Sequence, residues 1–135
     1  QGWAAVEVEE SSVAAMRASY GAVLQMQELL AKSNRLAMRK KFDAHRYVGF
    51  AKDAARWWVQ WRSGLEDPKR MAWPEEVEEF REALAKGYSH ADSAARVVCK
   101  ILLERFGAVA DTKGLEELLD DPDQDFGPSV MRFFA

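Results

Sequence analysis

A single cysteine, Cys99, rules out any disulfide within the chain. That scarcity favours a reducing intracellular compartment, cytosol or organelle matrix, since small secreted domains usually lean on disulfides. Only two histidines, His45 and His90, accompany it. A structural zinc site needs about four Cys or His ligands in paired spacing, so no metal is expected. No apolar run approaches the roughly 20 residues needed to cross a bilayer. The longest stretches, such as Val97 to Leu103, are interrupted by Lys100. Asn-Gly and Asp-Gly hairpin signals are missing, and no sustained alternation of β-branched residues appears. Phosphate-cradling G-x-G-x-x-G and Walker patterns are missing too, as are the Glu-x-x-His pairs of di-iron bundles. The chain opens at Gln1-Gly2-Trp3 without an initiator methionine, which suggests a fragment or a processed product.

Bulky apolar residues are plentiful. The 135 residues include five tryptophans and seven phenylalanines, in a chain that is 48% hydrophobic and 30% charged. Each large ring buries on the order of 150–250 Å², so these rings must pack inside or lie under a partner. The size and balance suit one domain with its own core.

Helical spacing dominates this reading, which predicts an all-α fold: an irregular bundle or orthogonal array of four to five helices, without β-sheet, in a single domain over 1–135. Ser11 or Ser12 caps a first helix to about Lys32, with Val13, Met16, Tyr20, Val23, Leu24 and Leu30 at three- and four-residue steps. A second runs from His45 to Ser63, where Tyr47, Phe50, Ala54, Trp57 and Trp61 form a heptad-like stripe ending at Gly64. Ser33 and Asn34 between them cap the second helix or mark a bend. Pro74 starts a third helix, backed by Glu75, Glu76, Glu78 and Glu79 and closed by Gly87. Ser89 and Asp92 open a fourth through Phe106, apolar on several faces and so the most buried, with Cys99 as an inert thiol inside it. A fifth, short helix holds Leu115, Leu118 and Leu119. Residues 120–135 read as an acidic, turn-rich tail ending in an apolar docking segment, Val130 to Phe134, which docks on its own core or on a partner.

Charge is unevenly placed. Residues 1–31 carry −3, residues 32–70 carry eleven Lys or Arg against four acids for +7, and residues 71–135 carry −7, giving the net −3. A basic middle third can meet nucleic acid, anionic lipid, or the acidic parts of this chain or of a protein partner. Trp57 and Trp61 share the apolar stripe, which makes them core rather than stacking platforms.

Reactive constellations are incomplete. Ser89, His90 and Asp92 are triad residue types, but neighbours on one helix start diverge, so capping is the expected role. Asp121, Asp123 and Asp125 resemble the start of a calcium loop, yet Phe126 stands where glycine is needed and Arg132 where the bidentate glutamate is. Trp58, Trp61 and Arg62 with the short loop after them resemble the acyl-CoA-binding helical domains over that one stretch. The resemblance implies an aromatic-lined bundle holding an acyl ligand.

The expected role is therefore a non-enzymatic interaction module or accessory subunit of a multiprotein complex, without cofactor or metal. Its candidate surface is Arg35, Arg39, Lys40, Lys41, Arg46, Lys52 and Arg56 with Val130, Phe133 and Phe134. The alternatives are a nucleic-acid-binding domain using the basic 32–70 segment and a bundle holding an acyl or other hydrophobic ligand.

Overall fold

The computed structural model of the chain describes residues 7–35, 37–41, 47–105 and 130–134. His45, Arg46, the predicted fifth helix and the Asp121–Asp125 turn lie outside the described residues. Where a second helix is predicted, the chain forms a β-hairpin instead. Strands β1 (Met38–Lys41), β2 (Tyr47–Lys52), β3 (Trp57–Trp61) and β4 (Met131–Phe134) make one antiparallel sheet in that order. Helices α1 (Glu10–Lys32), α2 (Glu75–Glu78) and α3 (Arg81–Arg105) complete an α+β fold, which overturns the all-α helical bundle.

The hairpin follows from residue type and from one aspartate. Tyr-Val-Gly-Phe and Trp-Trp-Val-Gln-Trp are rich in aromatic and β-branched side chains, which suit a half-buried pleated surface. Between them Asp53 Oδ1 accepts the backbone N–H groups of Ala55 (2.8 Å) and Arg56 (3.0 Å), and Asp53 N–H donates to the Arg56 carbonyl at 3.0 Å. That is an aspartate-closed turn, formed without glycine. The same backbone bonds hold the Asp53 carboxyl below its ordinary 3.8. Their contribution is thus present above the unfolded-state value and is lost as pH falls through the folded one.

Register aligns the core. Phe50 stands opposite Met38 on one side and Val59 on the other, and Val59 stands opposite Phe133. Val48, Phe50, Trp57, Val59, Trp61 and Phe133 are all buried, so Phe133 of the C-terminal apolar segment is seated in this domain's own core. Phe50 stacks with Trp57 at 6.2 Å, and Trp73 meets Phe50 and Trp61 edge-on at 6.1 and 5.8 Å. Such ring pairs add about 0.5–1.5 kcal/mol each beyond their buried area. Gly49, at φ 108°, lies where a Cβ would stand 2.2 Å from the Met38 carbonyl oxygen, so only glycine lets β1 approach β2 there.

The helices close the inner face. Val23, Met26 and Leu30 of α1, Val77 of α2, and Leu84 and Tyr88 of α3 join the sheet's cluster. Asn34, at φ 56°, ends α1 in a left-handed cap, with Arg35 N–H donating to Leu30 O and Asn34 N–H to Ala31 O. Gly87 is no helix stop: α3 runs straight through it. The position is small because α1 presses there, and an added Cβ would fall 1.9 Å from Ser19 Oγ and 2.7 Å from Ser19 Cβ. Ser19 Oγ itself donates towards Ala15 O (2.9 Å) and Ala83 O (2.7 Å).

Beyond Tyr88, α3 has no buried residue and is not the central helix of the core. Val97 and Ile101 are each 56% exposed, and Cys99 is exposed rather than a buried thiol. Arg81, at the start of α3, does the anchoring. Its guanidinium donates to the carbonyls of Leu65 and Met71 (3.0 Å), pairs with Glu78, and lies 4.6 Å from the Trp73 ring centroid. The 62–73 loop is thereby tied to the helical layer.

Two variants test this packing. Gly87→Ala is expected to lose about 1–3 kcal/mol in chemical denaturation, partly recovered by adding Ser19→Gly. Arg81→Met is expected to lose about 2–4 kcal/mol, because two buried carbonyls and Glu78 are left without their donor. A variant as stable as the parent would show that the loop is held in some other way.

Candidate functional site on the outer sheet face

A strand that turns alternate residues inward must turn the rest outward. Opposite the helices, the register lines up Arg39 with Gly49, Gly49 with Gln60, and Gln60 with Arg132. The neighbouring row is Ala51, Trp58 and Phe134. Tyr47 shares this face. It presents three rings and two arginines, with Arg56 at the hairpin turn beside them.

Specific contacts order the face. Trp58 Nε1 donates to the Tyr47 hydroxyl at 3.0 Å. Gln60 is fully buried; its Nε2 donates to the Tyr47 carbonyl at 2.7 Å, and its Oε1 accepts from Arg132 Nε. Arg39 lies over the Tyr47 ring and Arg56 over the Phe134 ring, each 5.5 Å from the centroid. Guanidinium groups held against rings keep their charge while covering apolar surface. Phe134 remains 47% exposed.

The fold gathers the sequence-derived candidates only in part. Arg39, Arg56 and Phe134 come together here. Arg35 is exposed beyond α1 and pairs with Glu76 at 3.6 Å. Lys40 donates to the Arg70 carbonyl at 2.8 Å. Lys52 is exposed at the end of β2, in the row that faces the core, and Val130 is exposed just before β4. Lys41 pairs with Tyr47 in backbone register. Sequence reasoning missed Tyr47, Trp58, Gln60 and Arg132 as one surface. The signal for it was the Trp-Trp-Val-Gln-Trp order, in which two inward indoles at i and i+4 force Trp58 and Gln60 outward once the segment is read as a strand.

A second feature lies on the helices. Val13, Met16 and Tyr20 of α1 face His90 and Ala94 of α3 across an apolar groove of about 570 Å³. His90 Nδ1 and Ser12 Oγ lie 2.9 Å apart beside it, so His90 is a helix-to-helix contact. Trp58 and Trp61, which carry the acyl-CoA-binding resemblance, stand on a strand with their rings on opposite faces, so no helical ligand cavity is built from them. Among the described residues no cluster of His, Cys, Asp or Glu can hold a metal ion, and no helix is long and apolar enough to cross a membrane.

Gln60 is the pivot of the outer face. Gln60→Leu is expected to keep the fold at a cost of about 1–3 kcal/mol. It should also release Arg132, visible as faster side-chain Nε–H exchange by NMR. Unchanged exchange would mean that Gln60 does not order Arg132. Comparison with family models, curated proteins and solved structures returned no match, so the functional reading starts from this geometry alone.

Proposed function

We propose that the chain is a non-enzymatic binding module that takes single-stranded nucleic acid on the outer face of its sheet. One observation carries the reading: Arg39, Arg56 and Arg132 are interleaved with Tyr47, Trp58 and Phe134 on a single face. Guanidinium groups attract phosphates and release their counterions, while flat rings accept stacked bases whatever their identity. An unpaired strand supplies both at short spacing; a duplex hides its base faces. The net charge of −3 does not oppose this, because the acidic excess lies in residues 1–31 and 71–135 and the basic excess in 32–70. Phosphate attraction is local, being screened beyond about 8–10 Å in physiological salt.

A second reading, docking to a helical protein partner, is favoured by a separate observation. Met16, Tyr20 and Leu24 of α1 and Val97 and Ile101 of α3 are large, apolar and exposed. Apolar residues at such helical steps are the usual anchors of helix-to-helix association.

Fluorescence anisotropy with labelled oligonucleotides at two salt concentrations tests the first reading. Affinity is expected to fall steeply with salt, with the log–log slope reduced by about 0.7 for each phosphate contact removed in Arg56→Ala or Arg132→Ala. Absence of binding at low salt refutes it. Variants Met16→Lys and Ile101→Lys should leave that binding intact and abolish any protein association.

A further inference from the structure

At the hairpin end of the outer face, Tyr47, Asp53, Arg56, Trp58, Arg132 and Phe134 line a half-open niche of about 130 Å³. Liquid water takes up roughly 30 Å³ per molecule, so the niche has room for about four waters or one flat heterocycle. Two of its lining residues, Trp58 and Phe134, stand opposite each other on adjacent strands. Trp58 is tethered by its Nε1 to the Tyr47 hydroxyl, and Phe134 carries the Arg56 guanidinium.

Arg132 and Asp53 complete the lining, and Asp53 brings the one carboxylate. Its Oδ1 is committed to the backbone N–H groups of Ala55 and Arg56. Its Oδ2 meets Arg56 Nε at 3.5 Å, and the Asp53 side chain is 45% exposed, so lone pairs remain for another donor. An ionised carboxylate accepts hydrogen bonds and offers none. Adenine, cytosine and guanine present an exocyclic amino group to such an acceptor. Thymine and uracil present carbonyl oxygens on both sides of a single N–H, and these repel it.

We propose that this niche holds one nucleobase of the bound strand and selects amino-bearing bases over thymine and uracil, with Asp53 Oδ2 as the discriminating acceptor. The proposal rests on the single-strand reading of the sheet face. Arg132 and Arg56 flank the niche where the neighbouring phosphates would run. Stacking supplies affinity that any base can use, and the carboxylate adds the choice between bases.

The test uses short oligo(dA), oligo(dC) and oligo(dT) of equal length, together with an oligomer in which purine replaces adenine and so lacks only the amino group. The parent chain is expected to bind oligo(dA) and oligo(dC) about tenfold more tightly than oligo(dT), and the purine oligomer as weakly as oligo(dT). In Asp53→Asn the amide oxygen keeps the turn's two backbone bonds and places an NH₂ group where Oδ2 was. That variant should erase or invert the preference. Equal affinity of the parent for all four strands would overturn the niche while leaving the platform standing. Failure to bind any of them would overturn both. The purine comparison leaves the protein untouched, so it decides the matter even if Asp53→Asn does not fold.

Discussion

Alternation along β3 is the constraint from which both faces of the molecule follow. Trp57, Val59 and Trp61 turn inward and are fully buried, or nearly so, and this obliges Trp58 and Gln60 to turn outward. The register then passes the same parity to its neighbours: Phe50 and Phe133 go in, while Ala51, Arg132 and Phe134 go out. A one-residue slip would exchange the two sets, placing arginines in the core and rings in water. The core that specifies the register therefore also specifies the composition of the opposite face. The edge strand β1, Met-Arg-Lys-Lys, fits the same scheme, since charged side chains on an edge discourage pairing with a further strand.

The sheet alone would not hold. Its inner face is closed by α1, α2, the first part of α3 and the 62–73 loop, and the loop depends on Arg81. A buried guanidinium is costly unless its donors are used, and here they serve Leu65, Met71 and Glu78 while its flat surface lies on Trp73. By contrast, the indole N–H groups of Trp57, Trp61 and Trp73 have no hydrogen-bond partner among the described residues. These three residues contribute ring surface, and Arg81 satisfies the Leu65 and Met71 carbonyls beside them. The junction at Ser19 and Gly87 sets how closely α1 and α3 meet. Past it α3 continues outward, carrying the exposed Val97 and Ile101 away from the sheet's core.

Part of this was legible in the residues. The first helix lies where the three- and four-residue steps of Val23, Leu30 and their neighbours place it, and Trp57 and Trp61 are core, though by strand alternation and not by the helical stripe. The hairpin was hidden by a coincidence of spacing. Tyr47, Phe50, Ala54, Trp57 and Trp61 fit a heptad, yet Val48, Phe50, Trp57, Val59 and Trp61 also fit two strands joined by a turn. Apolar Trp58 on the outer face masked the alternation, and Ala54 and Ala55 in the turn added helix-favouring residues. Asp53 was the discriminating residue, because an aspartate two and three residues before free backbone N–H groups closes a turn that glycine more often marks. Gly87 misled in the opposite sense: it reads as a helix stop, and its purpose is close approach to Ser19. The pairing of β3 with β4, about seventy residues apart in the chain (Gln60 with Arg132), is a tertiary choice that no local pattern encodes.

The charge pattern takes on a different meaning once the strands are in place. On a helix, the basic residues after Lys32 would form one side of a rod, and complementarity with the acidic segments would be their natural use. On the sheet they divide by parity and by position. Arg35 is occupied by Glu76, Lys40 by the Arg70 carbonyl, and Arg39 and Arg56 stay with the outer rings. Arg132 joins them from the far end of the chain, where the sequence is otherwise acidic. Net charge is a sum over the whole surface, whereas an incoming anion meets only the face it approaches, through solvent that screens the rest. A chain of negative total charge can thus present a cationic, ring-lined face, and the strand register rather than the composition decides which residues compose it.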